Sequence, residues 1–83
     1  MIEEYALVAL TRDIEFHDAQ LGSRQLQLGD VGTVVHCYEK GEAYEVEFVA
    51  GNGRTLALLT LTPSDIKTIS GNRILHIREL NSD

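Results

Sequence analysis

The 83 residues contain no tryptophan and only one cysteine, one proline and one methionine. A lone cysteine closes no internal disulfide, so a reducing compartment is expected, and the cytoplasm fits. No run of about 18 apolar residues occurs, so no membrane span is expected. The opening stretch carries Glu3 and Glu4 where a secretory signal needs basic residues. Basic side chains are scarce throughout. Lys+Arg number 7 against 13 Asp+Glu, for a formal net charge of −6. A surface so acidic repels a phosphate backbone, and nucleic acid is not the expected partner.

Catalytic signals are also missing. None of Ser23, Ser64, Ser70 or Ser82 sits in a Gly-x-Ser-x-Gly elbow, so hydrolase chemistry has no support. His17, His36 and His76 lie far apart and share no metal-ligand spacing. Cys37 has His36, Tyr38 and Glu39 around it, none a permanent cation, and reads as a small apolar residue rather than a reactive thiol. Glu45 and Glu47 form a carboxylate pair, but glycosidase chemistry also needs a cleft that so small a domain rarely supplies. The expectation is no enzyme, no metal and no other cofactor.

What remains is a pattern of short strands. The length allows one domain, since a second would have no core of its own. That domain spans residues 1–83, with a core over 5–69 and an extension over 70–83. Seven glycines punctuate segments rich in Val, Ile, Leu, Thr and Tyr. Strands are expected over 5–10, 31–38, 43–50 and 54–61. The long segment 11–27 must fold back on itself, as a functional excursion or a ribbon. Gly32 inside the second strand suggests a bulge or bend. In the third strand Tyr44, Val46 and Phe48 fall on one face, and Glu45 and Glu47 on the other. Gly51, Asn52 and Gly53 read as a hairpin turn. Thr62, Pro63, Ser64 and Asp65 read as one capped helical turn, with Thr62 as N-cap. A short closing strand over 66–69 follows, then a turn, then a further strand over 73–80, whose apolar positions Ile74, Leu75, Ile77 and Leu80 also fit a short helix; strand is preferred. The order predicts an all-β fold: a small SH3-like barrel of about five strands, one helical turn and an additional C-terminal strand.

Two stretches carry a resemblance. Gly29 to Val35 resembles the glycine turn and valine strand of KOW and other SH3-like barrels. More broadly, Leu10 to Ile14, Leu28 to His36, Tyr38, Gly41 to Val49 and Leu58 to Leu61 together resemble a family of small bacterial proteins of unknown function. The segment Ile74 to Leu80 is similar to a tail found in such proteins. This chain departs in the loop, where Glu15 and Phe16 stand after the Asp13-Ile14 pair in place of the family's proline. The resemblance implies an SH3-like fold, no established activity, and a neighbouring small protein, such as a toxin, as partner. A looser resemblance is to the SH3-like small subunit of the photosynthetic NDH complex, which implies a docking role in a redox complex.

The binding candidates follow from charge and surface. Glu39, Glu42, Glu45 and Glu47 crowd one stretch with only Lys40 to offset them. Such a patch attracts a basic protein and speeds its encounter, or else keeps the domain soluble. The fourth strand is apolar on both faces, with Leu56 and Leu58 alternating with Ala57, Leu59 and Leu61. Ile74, Leu75 and Ile77 of the tail could cover its second face; a partner or second copy could do so instead. With five aromatics and no tryptophan, a polyproline groove is not expected, and Arg12 and Asp13 are read as fixing the loop. The expected function is an acidic protein-interaction module, accessory or antitoxin-like, that contacts a more basic partner through Glu42, Glu45, Glu47, Leu56, Leu58, Ile74 and Ile77. A homodimer is a further expectation. The alternatives are a KOW-like RNA or ribosome-associated module and a docking subunit of a redox complex.

Overall fold

A computed structural model describes residues 1–18, 22–69 and 80. Seven strands are present among them: β1 (Leu7–Leu10), β2 (Ile14–Asp18), β3 (Gly22–Leu26), β4 (Val31–Tyr38), β5 (Ala43–Val49), β6 (Thr55–Leu61) and β7 (Ile66–Thr68). A single 3-10 turn, Pro63–Asp65, separates β6 from β7. Five strands form one antiparallel sheet in the order β6-β5-β4-β1-β7, and β2 and β3 form a separate ribbon. Strand, ribbon, three-strand meander, 3-10 turn and a closing strand beside β1 is the SH3-like arrangement. The strand count exceeds the expected five because the long segment folded back as a ribbon. Such pairing satisfies backbone groups that a bare loop would leave to water.

One core holds the sheet together. Val8 and Leu10 of β1, Val34 of β4, Tyr44, Val46 and Phe48 of β5, Leu56 and Leu61 of β6, and Ile66 of β7 share a single apolar cluster. Strands at both ends of the sheet feed that cluster, so the sheet curls around it. Ile14 and Leu26, paired at the base of the ribbon, enter the same core. Leu80 is buried there too, and its carbonyl accepts from the Gly51 amide at 2.7 Å. The additional strand expected over 73–80, with Ile74 and Ile77, lies outside the described residues apart from Leu80.

Gly32 corrects one expectation. It is not the site of the bulge; it lies where a side chain would run into the neighbouring strand β5. A Cβ there would sit 2.7 Å from Val46 Cγ1, 2.8 Å from the Glu47 carbonyl oxygen and 2.9 Å from Phe48 Cε1. The register slip in β4 falls instead between Val34, opposite Val46, and His36, opposite Glu45. Val35 is the extra residue. It reverses the alternation, so His36 and Tyr38 join the outer face with Glu45, while Cys37 packs against the core.

A second slip lies in β6. Phe48 pairs with Ala57 and Val49 with Thr55, which leaves Leu56 as the extra residue. Leu56 turns inward and is only 8% exposed. Plain alternation put it on the outer face beside Leu58, so its expected availability to a partner is corrected here: the bulge places it in the core.

The ribbon and the 3-10 turn are tied to the sheet by three acids. Asp13 Oδ1 accepts from the Leu28 amide at 2.7 Å, and Asp30 Oδ2 from the Gln27 amide at 2.8 Å. Arg12 Nε donates to Asp65 Oδ1 at 2.8 Å. The Thr62 amide donates to Asp65 Oδ2 at 2.9 Å, so the expected turn with Thr62 at its start is present. Burial pushes the Asp65 carboxyl up. The Thr62 amide, the Arg12 guanidinium and the Thr62 hydroxyl outweigh it and hold the group below its ordinary value. Arg12 and Asp13 therefore fix the loop, as their position suggested.

Candidate functional site

The outer face of β4, β5 and β6 gathers most of the residues that sequence reasoning singled out. Antiparallel register lays them in two rows. One row is His36, Glu45 and Thr60, and the next is Thr33, Glu47 and Leu58. No lysine or arginine stands in either row. Glu45 and Glu47 project from one strand on the same side, two residues apart, which sets their Cα atoms roughly 7 Å from each other.

Both carboxylates are held by neutral donors. The Thr60 hydroxyl donates to Glu45 Oε1 at 2.5 Å, and the Tyr38 hydroxyl reaches the same oxygen at 3.5 Å. The Thr55 hydroxyl donates to Glu47 Oε2 at 2.6 Å. Hydroxyls orient a carboxylate without cancelling its charge, so these bonds leave two placed anions on the face. His36 packs edge-to-face on Tyr38, with ring centroids 4.5 Å apart and planes at 75°. His36 Nδ1 lies 4.0 Å from Glu4 Oε1, both side chains being half-exposed, a spacing that contributes little to stability.

Apolar surface accompanies the acids. Tyr38 is 39% exposed, Val49 41% and Leu58 53%. Tyr38 lies beside the first row and Leu58 in the second, and Val49 continues the strand beyond Glu47. At one end of the face, Glu39, Lys40 and Gly41 take left-handed backbone conformations in the β4–β5 turn. Glu42 closes that turn through its amide, which donates to the Tyr38 carbonyl at 3.1 Å. Its exposed side chain extends the acidic character past Glu45.

The structure thus brings Glu45, Glu47 and Leu58 together, places Glu42 at the adjoining turn, and removes Leu56 to the core. Ile74 and Ile77 lie outside the described residues. Sequence reasoning missed Tyr38, His36, Thr55, Thr60 and Val49 as members of this face. The Gly51–Gly53 turn pairs β5 with β6, but its Val49–Thr55 register, continued without a slip, sets Leu59 opposite Glu45; the bulge at Leu56 brings Thr60 there instead. Neither that bulge nor the one at Val35, which brings in His36 and Tyr38, left a sequence signal.

Elsewhere the chemistry is sparse. Among the described residues no three metal-ligating side chains cluster. Cys37 is half-buried. No helix among those residues is long and apolar enough to cross a membrane.

Comparison with known proteins agrees with the resemblance read from the sequence. No curated protein and no solved structure matches the chain. A family model for a domain of unknown function, DUF4926, matches residues 4–68, from the segment before β1 to the end of β7. The match takes in the ribbon, the whole five-stranded sheet and the 3-10 turn, and the chain belongs to the DUF4926 family.

Proposed function

We propose that this chain is a non-catalytic, acidic protein-interaction module that acts in the cytoplasm as the accessory or antitoxin-like partner of a more basic protein. One observation carries the reading. Glu45 and Glu47 are oriented by Thr60, Tyr38 and Thr55, while no lysine or arginine stands in their rows to compensate them. Carboxylates that served solubility alone need no fixed orientation. Carboxylates awaiting a cation gain from it, because the ordering entropy is already spent before the partner arrives. The chain's charge of −6 adds long-range attraction for a basic surface, which raises the encounter rate.

The test is affinity purification of the tagged chain from its own cell extract, at low and at high salt. The expected result is one stoichiometric basic protein, retained at low salt and released as salt shortens the reach of the charges to a few ångströms. Recovery of RNA without a protein partner, or of the chain alone under both conditions, overturns the reading.

A further inference from the structure

We propose that the outer face of β4, β5 and β6 docks an extended segment of a protein partner, with an arginine guanidinium beside Tyr38 and Glu45 and an aliphatic side chain over Leu58. The proposal rests on the interaction reading above and adds to it the face, the backbone form and the side-chain chemistry of the partner.

Three of the six large apolar side chains exposed among the described residues, Tyr38, Val49 and Leu58, belong to this side of the sheet. An apolar group in that setting favours a partner with hydrophobic side chains of its own. The charge decides against a second copy. Two copies stacked through this face would bring Glu45 and Glu47 toward their own equivalents with no lysine or arginine in either row to separate them. The occupant is therefore cationic and partly apolar.

The choice of arginine follows from Tyr38. Its ring is steadied edge-to-face by His36, and its hydroxyl lies 3.5 Å from Glu45 Oε1. An exposed aromatic ring whose hydroxyl reaches a carboxylate suits a planar guanidinium, which can stack on the ring while its N–H groups reach the oxygens. A lysine ammonium makes the charge contact but not the stack. The choice of an extended segment follows from spacing. Glu45 and Glu47 repeat at roughly 7 Å, as do alternate side chains of an extended chain. A helix repeats its neighbours on one face at three or four residues and about 5–6 Å, and matches the rows less well.

The test uses the full chain with isotopic labelling and short synthetic peptides alternating arginine with leucine, lysine with leucine, or glutamate with leucine. Amide shifts in nuclear magnetic resonance map the site. Saturable shifts centred on Tyr38, Glu45, Glu47, Leu58 and Thr60 are expected, strongest for the arginine peptide and absent for the glutamate peptide. Glu45→Gln and Leu58→Ser should each weaken binding about tenfold. Glu45→Gln keeps an oxygen for the Thr60 hydroxyl, and a thermal melt checks that both variants remain folded.

Shifts centred on the ribbon, or no saturable shift with any peptide, overturn the proposal. Equal binding of the arginine and lysine peptides overturns the guanidinium assignment. Concentration-dependent self-association that Leu58→Ser abolishes places a second copy on the face and overturns it too. A basic protein captured from extract that binds both variants as well as the parent chain overturns this docking face and leaves the interaction reading intact.

Discussion

The Thr60 hydroxyl donates to Glu45 Oε1 directly across the β5–β6 pair, so one edge of the acidic face is set by a neutral side chain on the neighbouring strand. Thr60→Val removes the donor and keeps the shape. Thr60 is exposed, so the melting temperature should move little. Affinity for the arginine–leucine peptide should fall about three- to fivefold, because Glu45 then loses its fixed orientation. Titration of the labelled variant against the peptide measures this. A fall in stability with unchanged affinity contradicts a positioning role.

Gly32→Ala tests the close packing of β5 against the backbone of β4 at Gly32. The added methyl meets Val46, Phe48 and the Glu47 carbonyl at under 3 Å, and two of these contacts are core side chains. Overpacking of this kind costs about 1–3 kcal/mol. Urea unfolding should show a lower midpoint with an unchanged slope. An unchanged midpoint contradicts the close approach.

How much of this was legible before folding differs by element. Alternation in β5 placed Tyr44, Val46 and Phe48 inside and both glutamates outside, because a period of two needs only local sequence. The capped turn at Thr62 to Asp65 was legible for the same reason: the acid accepts from the free Thr62 amide and the proline presents no amide to satisfy, all within one turn. The bulges at Val35 and Leu56 were not. They arise where a curling sheet must slip register to keep its core filled, and the slip depends on strands far away in sequence. Plain alternation consequently offers Leu56 to a partner and leaves His36 and Tyr38 out of the site. The Arg12–Asp65 link joins positions 53 apart, which spacing alone cannot reveal.

That link gives a pH prediction. Asp65 titrates below its ordinary value of 3.8 in the folded chain. The folded state therefore favours the carboxylate, and the stabilisation is fully present above the unfolded value. As pH falls through that value, the unfolded chain takes up its proton first, and the contribution is lost progressively until the folded carboxyl is also protonated. Melting curves of the parent chain and Asp65→Asn should differ by about 1–3 kcal/mol at neutral pH. The difference should shrink below about pH 4. A difference independent of pH contradicts the assignment.

Asp13→Ala tests the base of the ribbon. It strips the Leu28 amide of its acceptor in an exposed turn. Hydrogen exchange at Leu28 and along β2 and β3 should quicken, with a global cost of about 1 kcal/mol. Exchange that quickens equally in β5 places Asp13 in the global rather than the local stability.

The most direct measurement is the affinity of the purified basic partner for the parent chain and for the doubly charge-reversed variant Glu45→Lys, Glu47→Lys, at matched salt and with folding checked. The account predicts a loss of at least about a hundredfold, with the remaining binding no longer weakened by salt. Unchanged affinity in a folded variant contradicts it and moves the partner to another face of the molecule.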